Sequence, residues 1–317
     1  MTDPAYVFDR KAVRRHRDRA ALAKGVRNAD GDFLHREVAE RIVERLDEVR
    51  RAFADVLELG CHRGALTGLL AAREGIETMI ASDLSPVCAT RATAAHETVA
   101  GVAADEEALP FATERFDLVV SNLALHWVND LPGTLIQLRR AMKPDGLFIG
   151  TLLGGATLTE LREALMAAEL EVEGGASPRV SPFADVRDAG ALLQRAGFAL
   201  PVIDRDRIAV TYDSALDLMA DLRAMAETNA VVERRPGFTR RETLMRAAVL
   251  YQERFAGMDG RIPASFEVIY LTAWAPAASQ PQALAPGSAA ERLADALDTT
   301  ERDAGDAAMP RPIKRNT

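Results

Sequence analysis

Within VLELGCHRGALTGLL (residues 56–70), Glu58, Gly60, His62 and Gly64 fall at alternate positions just before a helix-like run. Two further acidic positions follow: Asp83 lies 23 residues after Gly60, and Asp105 opens DEEALPF with Glu106 beside it. This set suits a small ligand rich in hydrogen-bond donors. Glycines let the backbone come close, and the Glu58 carboxylate can engage an ammonium, directly or through water. Asp83 is placed to accept from both hydroxyls of a ribose, and Asp105 from the amino group of a base. A dinucleotide fingerprint, G-x-G-x-x-G, fits poorly, because the positions it needs after Gly60 hold His62 and Ala65. Farther on, SNLALHWVNDLPG (121–133) offers His126 as a general base or aromatic wall and Trp127 as a π face for a cation.

The elements that must position these residues alternate. ADVLELG, ETMIASD, VAGVAAD, FDLVVSN and GLFIGTLL read as five strands. Between them ALTGLLAAR reads as a helix, SPVCATRATAAH as one opened by Ser85 and Pro86, and LPGTLIQLRRAM as one ended by the KPDG turn. Parallel neighbours need crossover connections, so this order predicts a parallel sheet with helices on both faces. Ahead of it, Val38, Ile42, Val43, Leu46 and Val49 give an opening helix one apolar face. After it, Thr157 and Glu160 read as a capping box for a helix to about residue 172, and Gly197 stops the next one. PVIDRDRIAVTY and FEVIYLTAWA close the sheet, and residues 214–257 between them form a helical lid insertion. The division expected is a helical arm at 1–50, the sheet domain at 51–275, and a disordered tail at 276–317 with one short helix near 288–297.

A chain of 317 residues with 27% charged residues and no apolar run of membrane-spanning length reads as globular. Its net charge of −8 disfavours nucleic acid as a partner. Cys61 and Cys88 cannot form a disulfide framework, so they read as buried, inert thiols in a reducing cytoplasm. The basic stretch 7–25 contains Asp9 and Asp18, unlike a transit peptide, and reads as a solvated helical arm. In an open parallel sheet the ligand sits beyond the carboxyl ends of the strands. There the pattern E/D-x-G-x-G-x-G, matched by Glu58, Gly60 and Gly64 with His62 in place of the middle glycine, indicates S-adenosylmethionine. Any one of the acids alone reads as a solvated loop carboxylate; three at the ends of successive strands do not.

Beyond these motifs the chain resembles the complex I assembly factor 5 family, which is related to the malonyl-carrier-protein O-methyltransferases of biotin synthesis. The resemblance runs through FDRKAVRRHRDRAA, SNLALHWVNDLPG, MKPDGLFIGTLLGGATLTELREAL, EGGASPRVSPFADVRDAGALLQRAGF, LMADLRAMAETNA and FEVIYLTAWAP, about residues 6–276. It implies a Rossmann-like class I methyltransferase fold, with a seven-stranded, mostly parallel sheet. It implies S-adenosylmethionine bound by Glu58, Gly60, Gly64, Asp83, Asp105 and Asn122, a site that also takes in His62, Leu84 and Glu106. The activity it implies is hydroxylation of an arginine in an iron–sulfur subunit of respiratory complex I, so a protein substrate. Asp130, Asp221 and Glu227 are acids available to a guanidinium, and His126, Trp127 and Asp130 are the catalytic candidates. Arg223, Arg234 and Arg246 are available to a substrate carboxylate if the protein is a conventional methyltransferase; a non-catalytic assembly factor is the third reading. His16 and Asp18 have a spacing suggestive of metal ligation but lie in the basic arm, and no metal is expected.

Overall fold

The computed structural model describes residues 6–23, 31–183, 186–235, 237–281 and 292–300. In chain order its elements are α1 (Arg10–Leu22), α2 (Phe33–Asp47), β1 (Asp55–Leu59), α3 (Ala65–Ala71), β2 (Thr78–Asp83), α4 (Pro86–Thr93), β3 (Val99–Ala103) and β4 (Phe116–Ser121). Then come α5 (Leu131–Ala141), β5 (Met142–Leu153), α6 (Thr159–Glu173), α7 (Val186–Arg195), β6 (Ala199–Tyr212), α8 (Ala215–Ala224), α9 (Arg241–Phe255) and β7 (Ile262–Trp274). The seven strands make one sheet in the order β3-β2-β1-β4-β5-β7-β6. The pairs β1–β2, β2–β3, β1–β4 and β4–β5 are parallel, and β7 runs antiparallel to both neighbours. Chain order reverses between β1 and β4, which opens a crevice at their carboxyl ends.

Alternation along the strands divides the core between two faces. Val56, Leu118, Val120, Leu147 and Ile149 point to the face covered by α2, α3, α6 and the insertion. Leu57, Leu59, Val119 and Phe148 point to the face covered by α5 and α7. On α2 the residues Leu34, Val38, Ile42 and Leu46 recur at helical spacing and are all fully buried, each stabilising the fold by roughly 1.5–3 kcal/mol. Residues up to Ala278 form one compact unit.

The structure corrects three readings in detail. The KPDG segment is absorbed into β5 as a bulge: Met142 pairs with Phe116, the register then jumps so that Leu147 pairs with Leu118, and Asp145 takes φ 62° between them. Thr157 and Glu160 form no capping box. The Thr157 hydroxyl accepts from the Glu267 N–H at 3.0 Å, and Glu160 accepts from the Ser265 hydroxyl at 2.6 Å, so both are recruited by β7, and α6 starts at Thr159 without a side-chain cap. Nor is α1 a solvated arm: Ala12, Val13, Arg17, Ala20 and Ala21 are buried.

The insertion between β6 and β7 leaves and rejoins the sheet at paired residues, Tyr212 opposite Ile262. The tail expected to be disordered falls largely on 282–291 and 301–317, outside the described residues; within 292–300 lies one helical turn, α10 (Leu293–Ala296).

Candidate functional site

The turn after β1 is built from left-handed backbone. Gly60 has φ 72°, His62 φ 48° and Gly64 φ 90°, and a Cβ on Gly60 would collide with Ala124. Gly60 and Cys61 donate their N–H groups to the Ser82 carbonyl at 2.8 and 3.0 Å, and His62 donates its own to Asp83 Oδ2 at 3.0 Å. The turn is thereby locked to the end of β2. Asp83, fully buried, also accepts from the Ser85 N–H at 2.7 Å.

Glu58 lies under this turn, 1% exposed, and accepts from the Thr67 hydroxyl of α3 at 2.6 Å. Burial raises its pKa to about 8, partly offset by Thr67. Its Oε1 has no hydrogen-bond partner, nor do Asn122 Oδ1, His62 Nε2 or His35 Nε2, while His35 Nδ1 stands 3.6 Å from Asp32 Oδ1. Asn122 donates to the His35 carbonyl at 2.8 Å, and the His35 and His62 rings stack with centroids 4.3 Å apart. Burial depresses the pKa of both histidines, so these rings are neutral.

Sequence reasoning missed the arginines that meet the acids. Arg17 of α1 is 1% exposed, with Nη1 2.6 Å from Glu106 Oε1 and 3.3 Å from Asp83 Oδ1. Arg10, two turns earlier, donates to Asp105 Oδ1 at 2.7 Å and to Glu106 Oε2. Burial would raise Glu106, but Arg17 and Arg10 hold it down to about 2. The pair of acids is also reversed from expectation: Glu106 faces inward, whereas Asp105 is 37% exposed. Leu84 packs beside Trp127, Phe8, Ala12 and Val13.

A second group stands beyond β4. His126 Nε2 lies 3.1 Å from Glu227 Oε2, and Trp127 Nε1 donates to Glu227 Oε1 at 3.3 Å. His126 Nδ1 accepts from the Leu153 N–H at 3.5 Å. Both nitrogens are therefore engaged, and the ring orients Glu227 instead of standing free as a base. Burial pushes Glu227 upward, but its contacts with His126 and Trp127 and the nearby His35 together outweigh it and keep the carboxylate ionised. Trp127 and Glu227 line a cavity of about 470 Å³ walled by Leu153, Phe183, Leu222 and Arg223. Asp130 does not join them: it is exposed and accepts from the Gly133 N–H at 2.9 Å as the N-cap of α5. Arg246 is likewise spent on Glu171, at 2.5 Å.

Among the described residues no three His, Cys, Asp or Glu side chains stand close enough to hold a metal ion, and Asp18 accepts instead from the Ser85 hydroxyl. Cys61 and Cys88 are free and buried, as expected; burial pushes the Cys88 thiol to about 12. Tyr212, Tyr251 and Tyr270 are all buried.

The chemistry of the first site fits a nucleoside carrying an amino acid. Carboxylates end β2 and open the turn after β3, an amide follows β4, and Glu58 has an unpartnered oxygen beneath the first turn. The space is taken, however: between His35, Gly60, His62 and Asn122 there is no room for a water molecule, and Arg17 stands at the acids.

Comparison with known proteins agrees with this architecture. A methyltransferase domain family model matches residues 31–201. The chain is 40% identical to the arginine-hydroxylase NDUFAF5, mitochondrial, of Danio rerio, over 91% of this chain and 89% of that one. It is 39% identical to the malonyl-[acyl-carrier protein] O-methyltransferase of Methylovorus sp. (strain MP688), over 90% and 96%. The YcgJ protein of Bacillus subtilis shares its fold, with a TM-score of 0.52 and 16% identity over 75% of this chain and 98% of that one.

Proposed function

The chain belongs to the methyltransferase-domain family, as an enzyme of the S-adenosylmethionine-dependent superfamily, and from that premise we propose that it binds S-adenosylmethionine and acts on a cationic side chain of a protein. When bound, that cofactor supplies a sulfonium with an electrophilic methyl group. Asp83 and Glu106 would hold its ribose hydroxyls, Asp105 would face its base, and Glu58 and Asn122 would meet its amino-acid end, with Gly60, His62, Gly64 and Leu84 shaping the wall.

One observation carries the choice of acceptor: the carboxylate of Glu227, kept ionised by His126 and Trp127, lines the cavity next to the crevice. Three arginines on the same wall are already neutralised, Arg179 by Glu169 at 2.6 Å, Arg234 by Asp9 at 2.9 Å and Arg235 by Glu173. A guanidinium entering there meets a carboxylate that already accepts from His126 and Trp127 and has further lone pairs to offer it. This supports arginine as acceptor, the residue named in the Danio rerio relative; that an iron–sulfur subunit of respiratory complex I carries it is our proposal from the family resemblance alone. His126 and Trp127 position the acceptor, and α8 and α9 exclude water.

Arg223 favours a second reading. It lines the cavity without an ion pair among the described residues, and a substrate carboxylate would find it available, as in methyl transfer to a carrier-protein substrate. Hydroxylation takes one oxygen atom from O2 while two electrons from an added reductant release the other as water, so mass measurement of the iron–sulfur subunit after aerobic incubation with enzyme, cofactor and a reductant separates the two. An added oxygen supports the first reading; a methyl group on an acid-bearing acceptor, with the subunit unchanged, replaces it with the second. For the compartment, the free buried cysteines support a reducing one, and we retain the cytoplasm as our proposal, although the Danio rerio relative is named mitochondrial. Among the described residues no helix is long and apolar enough to cross a membrane.

A further inference from the structure

We propose that α1 is an intramolecular competitor of the cofactor, a plug whose Arg17 and Arg10 occupy the nucleoside half of the crevice until S-adenosylmethionine displaces them. This rests on the cofactor reading above and goes beyond it. The likeness is donor for donor. A guanidinium presents N–H groups to carboxylates as ribose hydroxyls and an adenine amino group do. Arg17 Nη1 lies within 3.3 Å of both buried acids, so a ribose cannot reach Asp83 and Glu106 while that side chain stays.

The plug is held well enough to form and poorly enough to leave. Its holding contacts run along the N-terminal segment. Phe8 packs edge-on against Trp127 with centroids 5.3 Å apart, the Phe8 N–H donates to Asn129 Oδ1 at 2.7 Å, and the Asp9 N–H donates to the Ala230 carbonyl at 2.8 Å. Against these, Arg17 Nε and Nη2 are buried without a hydrogen-bond partner, a cost that withdrawal to water removes.

A closed state that excludes the ligand lowers apparent affinity by the fraction of molecules that are open. Calorimetry with S-adenosylmethionine on the full chain therefore compares the wild type with Arg17→Ala, each checked for native circular dichroism. Binding by Arg17→Ala that is about tenfold tighter is expected. Equal or weaker binding by the folded variant overturns the proposal, because it would make Arg17 neutral or a cofactor ligand. Hydrogen exchange on the unmodified protein gives a reading that needs no variant. Saturating cofactor should speed exchange at residues 10–22 and shift Trp127 fluorescence as Phe8 leaves it; slower exchange over α1 overturns the plug. Absence of binding by both proteins removes the cofactor assignment itself, a failure distinct from that of the plug.

Discussion

Replacing Glu58 with glutamine isolates the charge beneath the first turn. Below pH 4.5 the native and unfolded chains both hold a proton at this position. Between 4.5 and about 8 the unfolded chain has released it while the native protein keeps it. The native state then binds more protons, so stability falls as pH rises, by about 1.4 kcal/mol per pH unit for one proton. Across the full interval the loss sums to about 5 kcal/mol as an upper bound. Glutamine has no proton to retain, and its unpaired amide adds only a constant offset. The quantity to follow is therefore the difference in unfolding free energy between the two proteins, from urea titrations at half-unit steps from pH 5 to 9. Contributions of His35 and His62, common to both, cancel. The difference should move steadily in favour of Glu58→Gln up to about pH 8 and then level off. Parallel curves would mean that Glu58 ionises normally in the native protein, and the buried neutral acid under the turn would be wrong. The same group should release a proton when the ammonium of S-adenosylmethionine arrives, visible in calorimetry as a heat that depends on the buffer.

Glu227→Ala strands the buried N–H groups of His126 and Trp127, so it should cost about 1–3 kcal/mol in urea unfolding and remove turnover on the arginine-bearing subunit; unchanged stability would show that water replaces the carboxylate there. Cys61 and Cys88, 3% and 1% exposed, should resist iodoacetamide at pH 8 in the native protein and react once urea unfolds it, as read by mass spectrometry. Rapid native labelling would contradict their burial.

The parallel half of the sheet was legible because strands buried on both faces read as short apolar runs; helices on both faces require a reversal of strand order somewhere, and only the folded sheet puts it between β1 and β4. The acids at the strand ends were legible for the same reason: once the strands are placed, their last residues are placed too. What escaped was pairing across distance. His126 and Glu227 lie 101 residues apart, and neither carries a local sign of the other. Asp105 and Glu106 are neighbours, and only the folded turn decides which faces inward. Arg10 and Arg17 did leave a trace: with Val13 and Ala20 they recur at three- and four-residue steps, which puts two arginines on the apolar stripe of α1. The usual behaviour of charge runs, solvation, hid it.

The closure of the insertion at Tyr212 and Ile262 gives it a narrow neck. Everything from 213 to 261, including Glu227 and Arg223, hangs from two adjacent, hydrogen-bonded strand ends. Chain entropy charges little for lengthening or exchanging such an excursion. The part that grips the acceptor can therefore diverge by wholesale replacement while the nucleoside crevice, built on β1 to β4, is inherited unchanged, so relatives sharing one crevice can differ in the chemistry they host.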